Sequence, residues 1–206
     1  MIYFIGGPPR VGKSMIAGTI ARQHGISAVS TDSLGAVLEA ILPPESNPDV
    51  FAIARFNELP EADRVELMAE TPARRLDDQI RESTAVWQAV EPFILREQEE
   101  KRDVVVEGVA VLPELVAQLE GVEYRAVFVG NQSHTLKENI RRSAEENPQD
   151  WMRLASDEYV VAFAACVDQM SAYIEREAFA FGFNYIEMGK SPFEDALGQA
   201  AAALLR

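Results

Sequence analysis

Apolar residues follow two kinds of pattern along this chain of 206 residues, and the patterns predict an alternation of strands and helices. Short apolar runs, rich in β-branched or aromatic residues, predict buried strands. There are five such runs, at residues 1–5, 27–31, 103–108, 124–130 and 183–189. Because helical patterns separate the runs, we expect repeated β-α units and a parallel sheet covered by helices on both faces.

The connection between the second and third predicted strands is unusually long. It contains several helical patterns, which the sequence LPPESNP interrupts, and the longest pattern runs from residue 72 to about residue 101. Pro92 predicts a kink in that last helix. Its apolar residues at helical spacing are Leu76, Ile80, Trp87 and Ile94. We expect residues 43–101 to form a helical insert over the sheet edge, where it can close as a cap on a substrate.

The last third of the chain contains a polar segment, a long helical pattern and an alanine-rich end. Residues 131–150 are polar, carry paired arginines and are expected to form a lid. The pattern from about residue 150 to residue 181 predicts one long helix that contributes large side chains to the core. These core residues are Trp151, Leu154, Tyr159, Phe163, Met170, Tyr173 and Ile174. The end, EDALGQAAAALLR, predicts a final helix that packs through small side chains.

The composition is that of an ordinary globular protein, and the length favours a single domain, residues 1–206. The net charge of −14 argues against nucleic acid as a partner, because a phosphate backbone requires a basic face. Cys166 is the only cysteine, which suits a reducing cytoplasm. His24 and His134 lack metal-ligand spacing and are expected at the surface. With no signal peptide or membrane-spanning run, we expect a cytoplasmic protein without membrane partners, of open oligomeric state.

The segment GGPPRVGKSM, residues 6–15, carries the strongest chemical signal. Its pattern G-x-x-x-x-G-K-[ST] is typical of a phosphate-binding loop, or Walker A motif, in which backbone N–H groups surround phosphate oxygens. Lys13 is expected to reach the β and γ phosphates of ATP, and the Ser14 hydroxyl is expected to bind Mg²⁺. The residues expected to contact the nucleotide here are Gly7, Pro8, Pro9, Arg10, Val11, Gly12, Lys13, Ser14 and Met15.

The sequence on both sides of the loop favours this interpretation over a chance match. A predicted strand precedes the loop, and a predicted helix follows it. That helix has Met15, Ile16, Ile20 and Ala21 on one apolar stripe, and Gly25 marks its end. Strand, loop and helix therefore come in the order that the motif requires, and the helix dipole favours an anion at the loop.

Ligands of parallel α/β sheets bind beyond the carboxyl ends of the strands, which draws attention to Asp32, Glu107, Asn131 and the turn at 189–191. Asp32 has a structural and a functional interpretation. In the first it caps the following helix; in the second it accepts a proton from the phosphate acceptor or binds Mg²⁺. Glu107 ends an apolar strand, as the acid of a Walker B element does, and would bind Mg²⁺. The alternative for Glu107 is a carboxylate that faces solvent.

Two groups of arginines are candidates for binding anions. Arg141 and Arg142 lie after the fourth strand and either form a solvated helix face or neutralise charge on the transferred phosphoryl group. We predict the second role for at least one of them. Arg55, Arg74 and Arg75 in the insert could bind an anionic group of the substrate or pair with neighbouring acids.

The segments GGPPRVGKS, STDSL and VVVEGVAVLPE together resemble the P-loop kinases of small metabolites, most closely the 2-phosphoglycerate kinase-like proteins. The segment YIEREAFAFGFNYIEM is similar to the closing segment of such kinases. The resemblance implies an α/β P-loop NTPase fold whose five-stranded parallel sheet has the order 2-3-1-4-5. It also implies ATP with Mg²⁺ as the donor, Asp32 near the acceptor hydroxyl, and a lid with arginines. The turn GKSP, with Gly189 and Lys190, would form part of the adenine site.

Two functions of different classes fit these observations. The favoured one is an ATP-dependent phosphotransferase that acts on a hydroxyl of a small, anionic metabolite. Lys13 and the loop amides would hold the phosphates, Ser14 and Glu107 would hold Mg²⁺, and Asp32 would act as base or orienter. The alternative is a nucleotide-responsive binding or regulatory protein with slow NTP hydrolysis, in which ATP moves the insert. The acceptor and the nucleobase preference stay open.

Overall fold

The computed structural model describes residues 1–205 and has a five-stranded parallel sheet at its centre. The strands are β1 (Ile2–Gly6), β2 (Ser27–Ser30), β3 (Val104–Gly108), β4 (Tyr124–Gly130) and β5 (Asn184–Glu187). Their spatial order is β2-β3-β1-β4-β5, and every neighbouring pair is parallel. The predicted order 2-3-1-4-5 is confirmed, and β4 has the predicted bounds.

Helices connect the strands and cover both faces of the sheet. In chain order they are α1 (Lys13–His24), α2 (Thr31–Ile41), α3 (Ala52–Glu58), α4 (Glu61–Glu70), α5 (Pro72–Glu99), α6 (Pro113–Ala117), α7 (Leu136–Glu146), α8 (Asp157–Ala180) and α9 (Phe193–Leu205). A 3₁₀ turn, Trp151–Leu154, precedes α8. Within residues 1–205, no helix combines the length and the apolar character that crossing a lipid bilayer would require.

The core has two layers because successive residues of a strand face opposite sides of the sheet. Ile5 and Val127 lie in one buried cluster, together with residues of α1, α8 and α9. Phe4 and Val106 lie in the other, together with residues of α5 and α8. The continuous apolar sequence VVV in β3 is thus explained by burial on both faces.

The insert between β2 and β3 consists of α3, α4 and α5. The second half of α5 belongs to the core, where Val90 and Ile94 are fully buried against the sheet. The helix is continuous through Pro92. The first half of α5 instead joins α3, α4 and α8 around a cavity, so the insert contributes both to the core and to a binding site.

Two predictions about buried side chains were wrong. The pattern from residue 150 to residue 181 is divided, because Asp150 caps the 3₁₀ turn and Ser156 caps a separate helix, α8. The new helix start changes the register, so Trp151 and Leu154 are 54% and 93% exposed, whereas the later predicted residues are buried or half-buried. In α1, Met15 is likewise 50% exposed, because the buried stripe passes through residues 13, 16, 17 and 20.

Candidate active site

The phosphate loop connects β1 to α1, and glycines determine its conformation. A Cβ atom on Gly7 would lie 2.1 Å from the carbonyl oxygen of Val129, so a larger residue would not fit there. Gly12 has a φ of 94°, which side chains of L-residues disfavour, and it directly precedes α1. The loop therefore leads into the N-terminus of α1, where backbone N–H groups without helical partners favour an anion.

Lys13 is buried at the start of α1, and its ammonium folds back over the loop. The residue is 7% exposed, and Nζ donates a 2.7 Å hydrogen bond to the carbonyl oxygen of Pro8. Burial lowers the pKa of Lys13 from its ordinary value, while the carboxylates of Glu107 and Asp32 act in the opposite direction. The loop lysine and the two candidate acids therefore share one electrostatic environment.

Ser14 and Glu107 are joined by a hydrogen bond that links α1 to β3. The Ser14 hydroxyl donates to Oε1 of Glu107 at 2.9 Å, and Glu107 is 7% exposed. The alternative of a solvent-facing Glu107 is therefore wrong. The hydroxyl and the carboxylate supply the oxygen ligands that Mg²⁺ prefers, and the ion commonly takes its other ligands from phosphates and water. Ser14 and Glu107 therefore fit a Mg²⁺ ion that is bound together with a nucleotide. Among residues 1–205, no cluster of three or more His, Cys, Asp or Glu side chains is placed to hold a metal ion.

Asp32 lies in the first turn of α2, beyond the carboxyl end of β2. The cap of this helix is Ser30, whose Oγ accepts a 3.2 Å hydrogen bond from the Asp32 backbone N–H. Ser30, and not Asp32, therefore caps α2. Asp32 is exposed and lines a cavity that Pro9 and Arg10 of the phosphate loop also line. A carboxylate and the loop thus lie at the same cavity.

Arg10 joins the phosphate loop to the 3₁₀ turn before α8. Its guanidinium forms a two-pronged ion pair with Asp150, in which Nη2 donates to Oδ1 at 2.6 Å and Nη1 donates to Oδ2. The guanidinium also lies 5.7 Å from the centroid of the Trp151 ring, a cation–π distance. The pair lowers the pKa of Asp150. Sequence reasoning missed both partners, which are about 140 positions away from the loop.

The two arginines of the lid segment lie outside the cavity that Asp32 lines. Arg141 donates a 2.7 Å hydrogen bond to Asp157 at the start of α8 and a 3.3 Å bond to the carbonyl oxygen of Met152. Arg142 is exposed and donates to Asn139 at 2.9 Å. Both guanidinium groups therefore already have hydrogen-bond acceptors close to them in sequence, in α7, in the 3₁₀ turn and at the start of α8.

The turn after β5 lies close to the loop after β4, and Glu187 connects them. Its Oε1 accepts hydrogen bonds from the backbone N–H of Gln132 at 2.9 Å and of Gly189 at 3.0 Å. A Cβ atom on Gly189 would lie 2.5 Å from the Cβ of Ser133, so this close approach requires a glycine. Lys190 follows on the exposed side of the turn. The positions predicted for the adenine site are therefore held at the carboxyl edge of the sheet.

The cavity beside Asp32 has a volume of about 320 Å³ and lies between the insert, the phosphate loop and α8. Sequence reasoning missed the polar residues that the insert and α8 contribute to it. These are Asn57, Gln79, Glu82 and Gln169. The sequence does contain a signal for Gln79, because this polar residue interrupts the apolar stripe of α5. In the structure Gln79 is only 7% exposed. The chain offers no comparable signal for Gln169.

Glu82 ties α3 to α5 at the edge of this cavity. Its Oε2 accepts a 2.6 Å hydrogen bond from the backbone N–H of Ile53. Burial raises the pKa of Glu82 to about 7, which the hydrogen bond from Ile53 and the charge of Arg75 only partly oppose. The nearby carboxylates of Glu39 and Asp32 raise it further. This side chain therefore changes its charge near neutral pH.

The arginines predicted to bind an anion lie on two helices of the insert and line the same cavity. Arg55, Arg74 and Arg75 line a second cavity of about 330 Å³. Arg55 donates a 2.9 Å hydrogen bond to the carbonyl oxygen of Pro44. Arg75 alone among the three also lines the cavity beside Asp32. It is therefore the member of this group that can reach both cavities.

Similarity to known proteins is detectable in the three-dimensional structure. No protein-family model matches the sequence, and no curated protein matches it. Shikimate kinase from Bacteroides thetaiotaomicron matches with a TM-score of 0.50 and 12% identity, covering 100% of this chain and 99% of that chain. A gluconokinase from Sinorhizobium meliloti 1021 has a TM-score of 0.49 and 16% identity, with 100% of this chain and 91% of that chain covered.

The similarity to shikimate kinase, at 12% identity, shows the fold and not the substrate. Together with the parallel sheet order and the loop at the end of β1, it shows that the chain has the α/β fold of the P-loop NTPases. This confirms the fold class predicted from the sequence. The closer resemblance to 2-phosphoglycerate kinase-like proteins stays a hypothesis, because it concerns the acceptor, which fold similarity does not reveal.

Proposed function

We propose that the protein is an ATP-dependent phosphotransferase that acts on a hydroxyl of a small, anionic metabolite. The observation that carries the proposal is the cavity that Asp32 and the phosphate loop line together. A phosphotransferase needs a donor phosphate, an acceptor pocket and a carboxylate near the acceptor hydroxyl. A protein that only senses a nucleotide needs the phosphate loop but not a cavity beside Asp32.

In the proposed complex the loop amides and Lys13 bind the ATP phosphates. The Lys13 ammonium would exchange its hydrogen bond to Pro8 for the β and γ phosphate oxygens. Ser14 and Glu107 would hold Mg²⁺ through the two oxygen atoms that now share a hydrogen bond. When bound, Mg²⁺ would neutralise part of the negative charge on the β and γ phosphates.

Asp32 would prepare the acceptor hydroxyl for transfer. The hydroxyl oxygen forms a bond to the γ-phosphorus, and the bond from that phosphorus to the β–γ bridging oxygen breaks, so ADP leaves with the bridging oxygen. The hydroxyl proton passes to a carboxylate oxygen of Asp32. Asp32 suits this role because it is exposed at the cavity and no hydrogen-bond donor among the described residues occupies its carboxylate.

Charge on the transferred phosphoryl group would be stabilised by an arginine from the lid. Arg141 or Arg142 would have to leave its present acceptors, Asp157 or Asn139, to reach the phosphates. The proposal therefore includes movement of residues 131–150 as a lid. The helical insert, residues 43–101, would act as the substrate cap, since it supplies one wall of the cavity. Gly189 and Lys190 would contribute to the adenine site.

Acceptor-dependent release of ADP tests this proposal. Purified protein is incubated with Mg·ATP and a panel of hydroxylated carboxylates, and ADP is measured with and without each compound. We expect at least one compound to stimulate ADP release and to become phosphorylated, and we expect Lys13→Ala to abolish both. Slow ATP hydrolysis that no compound stimulates, together with ATP-dependent movement of the insert, would instead support the nucleotide-responsive binding protein.

A further inference from the structure

The cavity beside Asp32 has an aromatic and aliphatic wall, and charged and amide side chains form the rest of its lining. Tyr159 and Phe163 of α8 stack with their ring centroids 6.2 Å apart, and Trp151 packs edge-on against both rings. Phe56 from α3 and Met68 from α4 line the cavity from the insert side. A ligand that fits this wall must present apolar surface to it, because hydroxyl groups placed there would lose their hydrogen bonds to water.

The volume also restricts the ligand. Sites for small molecules commonly have volumes of 300–1,000 Å³, with apolar linings and a few polar groups that fix the orientation. At about 320 Å³ this cavity is at the lower end of that range. It therefore suits a compound of one ring or a short hydrocarbon skeleton.

Arg75 provides a positive charge in the cavity that the protein leaves largely uncompensated. Its guanidinium lies 4.8 Å from the centroid of the Phe56 ring, and its Nη1 atom is buried without a hydrogen-bond partner among the described residues. Burial lowers the pKa of Arg75. Asp78, the acid three positions later, pairs with Arg81 instead. Because an unpaired buried charge is unfavourable, an anion at Arg75 would stabilise the site.

The ionisable groups near Arg75 compensate its charge only in part. After burial, the strongest influence on the pKa of Arg75 comes from Cys166, followed by Glu82, Tyr159 and Asp78. Burial raises the pKa of Glu82 to about 7, and burial raises the pKa of Tyr159 and of Cys166 as well. At neutral pH these groups are therefore wholly or partly uncharged, and an anionic ligand meets little repulsion from them.

Two glutamines of different helices supply a hydrogen-bond donor and an acceptor to the cavity. The Nε2 atom of Gln79 on α5 and the Oε1 atom of Gln169 on α8 are both buried without partners among the described residues. Gln79 is 7% exposed, so water does not readily satisfy its amide. A buried amide atom without a hydrogen-bond partner is destabilising. A ligand group that accepts a hydrogen bond from Gln79 and donates one to Gln169 would provide both missing partners.

We infer that the acceptor is an amphiphilic hydroxy-carboxylate, with a mostly apolar ring or chain against the aromatic wall, its anionic group at Arg75 and a polar group between Gln79 and Gln169. The inference rests on the proposed function and narrows it, because a polyhydroxylated sugar acid of the same size would place hydroxyl groups against the aromatic wall. Arg75 and Gln79 are the residues that determine acceptor specificity.

Three probes of similar size test the inference: phenyllactate, phenyllactamide and gluconate. Binding to the whole protein is measured by calorimetry in the presence of Mg²⁺ and a non-hydrolysable ATP analogue. We expect phenyllactate to bind more tightly than gluconate, because gluconate would bury several unpaired hydroxyls. We expect the amide to bind about 10–100-fold more weakly than the acid, the range for loss of hydrogen bonds to a charged group. Gluconate binding as tight as that of phenyllactate, or no binding of phenyllactate by protein that binds the analogue, would overturn the inference.

Two variants separate specificity from general stability. Arg75→Met should remove the preference for the acid over the amide, whereas Arg96→Met, on an exposed part of the same helix, should leave it unchanged. Gln79→Leu should weaken phenyllactate binding but raise the Tm of the ligand-free protein by about 2–4 °C, because it removes an unpaired buried donor. A lower Tm with unchanged binding would show that the Gln79 amide has a structural role and would count against the inference.

The same experiment distinguishes failure of the inference from failure of the proposed function. Tight binding of phenyllactate without phosphorylation of it or of any related hydroxy acid would retain the cavity assignment and contradict the phosphotransferase. Phosphorylation of gluconate in preference to the apolar hydroxy acids would retain the phosphotransferase and contradict the assignment of the cavity.

Discussion

Arg10 of the phosphate loop and Asp150 of the 3₁₀ turn form a two-pronged ion pair across about 140 positions of sequence. Arg10 has a φ of 68°, a left-handed conformation that is unfavourable for a residue with a Cβ atom. Asp150 also accepts a 2.9 Å hydrogen bond from the Met152 backbone N–H and so begins the turn. The pair therefore connects the conformation of the phosphate loop to the start of the 3₁₀ turn that precedes α8.

Two substitutions separate the effect of the Arg10 backbone conformation on stability from the effect of its ion pair. Arg10→Ala and Arg10→Gly both remove the pair, but only glycine adopts a φ of 68° without strain. We expect Arg10→Gly to be more stable than Arg10→Ala by about 1 kcal/mol, as measured by urea denaturation. Equal stabilities would indicate that the loop does not retain this left-handed residue.

Lys13→Ala should weaken the binding of Mg·ATP. The substitution removes the buried ammonium, and with it the contact expected with the β and γ phosphates. Calorimetry should detect weaker Mg·ATP binding, while circular dichroism shows a folded protein. Unchanged affinity for Mg·ATP would contradict the assignment of the loop.

Asp32→Asn should reduce phosphoryl transfer and leave nucleotide binding intact. The substitution removes the charge at the cavity, and the cap of α2 survives because Ser30 provides it. We expect transfer to fall by about 10²–10⁴-fold, the range for loss of a positioned general base. Thermal unfolding serves as the control and should change little. Full transfer by a stable Asp32→Asn variant would show that the carboxylate has no catalytic role.

Glu82→Gln should become more stable than the native protein as the pH rises. Burial raises the pKa of Glu82 from 4.5 to about 7, so the folded protein binds a proton that the unfolded chain releases at lower pH. The stability that this proton provides is complete below pH 4.5 and is lost as the pH rises through 7. Glutamine keeps an oxygen for the Ile53 N–H and carries no charge.

We therefore expect the difference in unfolding free energy between Glu82→Gln and the native protein to grow from near zero at pH 4.5 to on the order of 1–3 kcal/mol above pH 7. Denaturation in urea at a series of pH values measures this difference. Glu91→Gln, a change at an exposed position of the same helix, is the control. A difference that does not vary with pH would contradict the raised pKa of Glu82.

The insert should close when acceptor and nucleotide are both bound. Residues 43–101 supply one wall of the cavity, and a ligand in the cavity would contact α3 and α5. Hydrogen exchange should slow in the insert when a bound acceptor and a non-hydrolysable ATP analogue are present together. Exchange in β1 and β3 should stay constant, because these strands are buried in either state. Equal exchange in the insert with and without ligands would argue against a closing cap.

The sequence by itself determined the strands of the sheet and the phosphate loop, whereas the strand order was implied only by the resemblance to P-loop kinases. Strands of four to seven residues were predicted at the right places because they leave short, local apolar runs, which are continuous in the fully buried strand β3. The loop was recognisable because the tight turn around phosphate restricts Gly7, Gly12, Lys13 and Ser14 at fixed local spacing. These features are encoded in neighbouring residues, and a sequence shows them directly.

The tertiary structure alone decided which distant side chains meet. The pairs Ser14–Glu107 and Arg10–Asp150 are 93 and 140 positions apart, and no local pattern specifies them. The same holds for the cavity between α5 and α8, where Gln79 meets an aromatic wall. Trp151 is exposed because α8 starts only after Ser156, so Trp151 does not continue the buried face of that helix. Periodicity determines which residues share a face, but only packing determines what that face contacts.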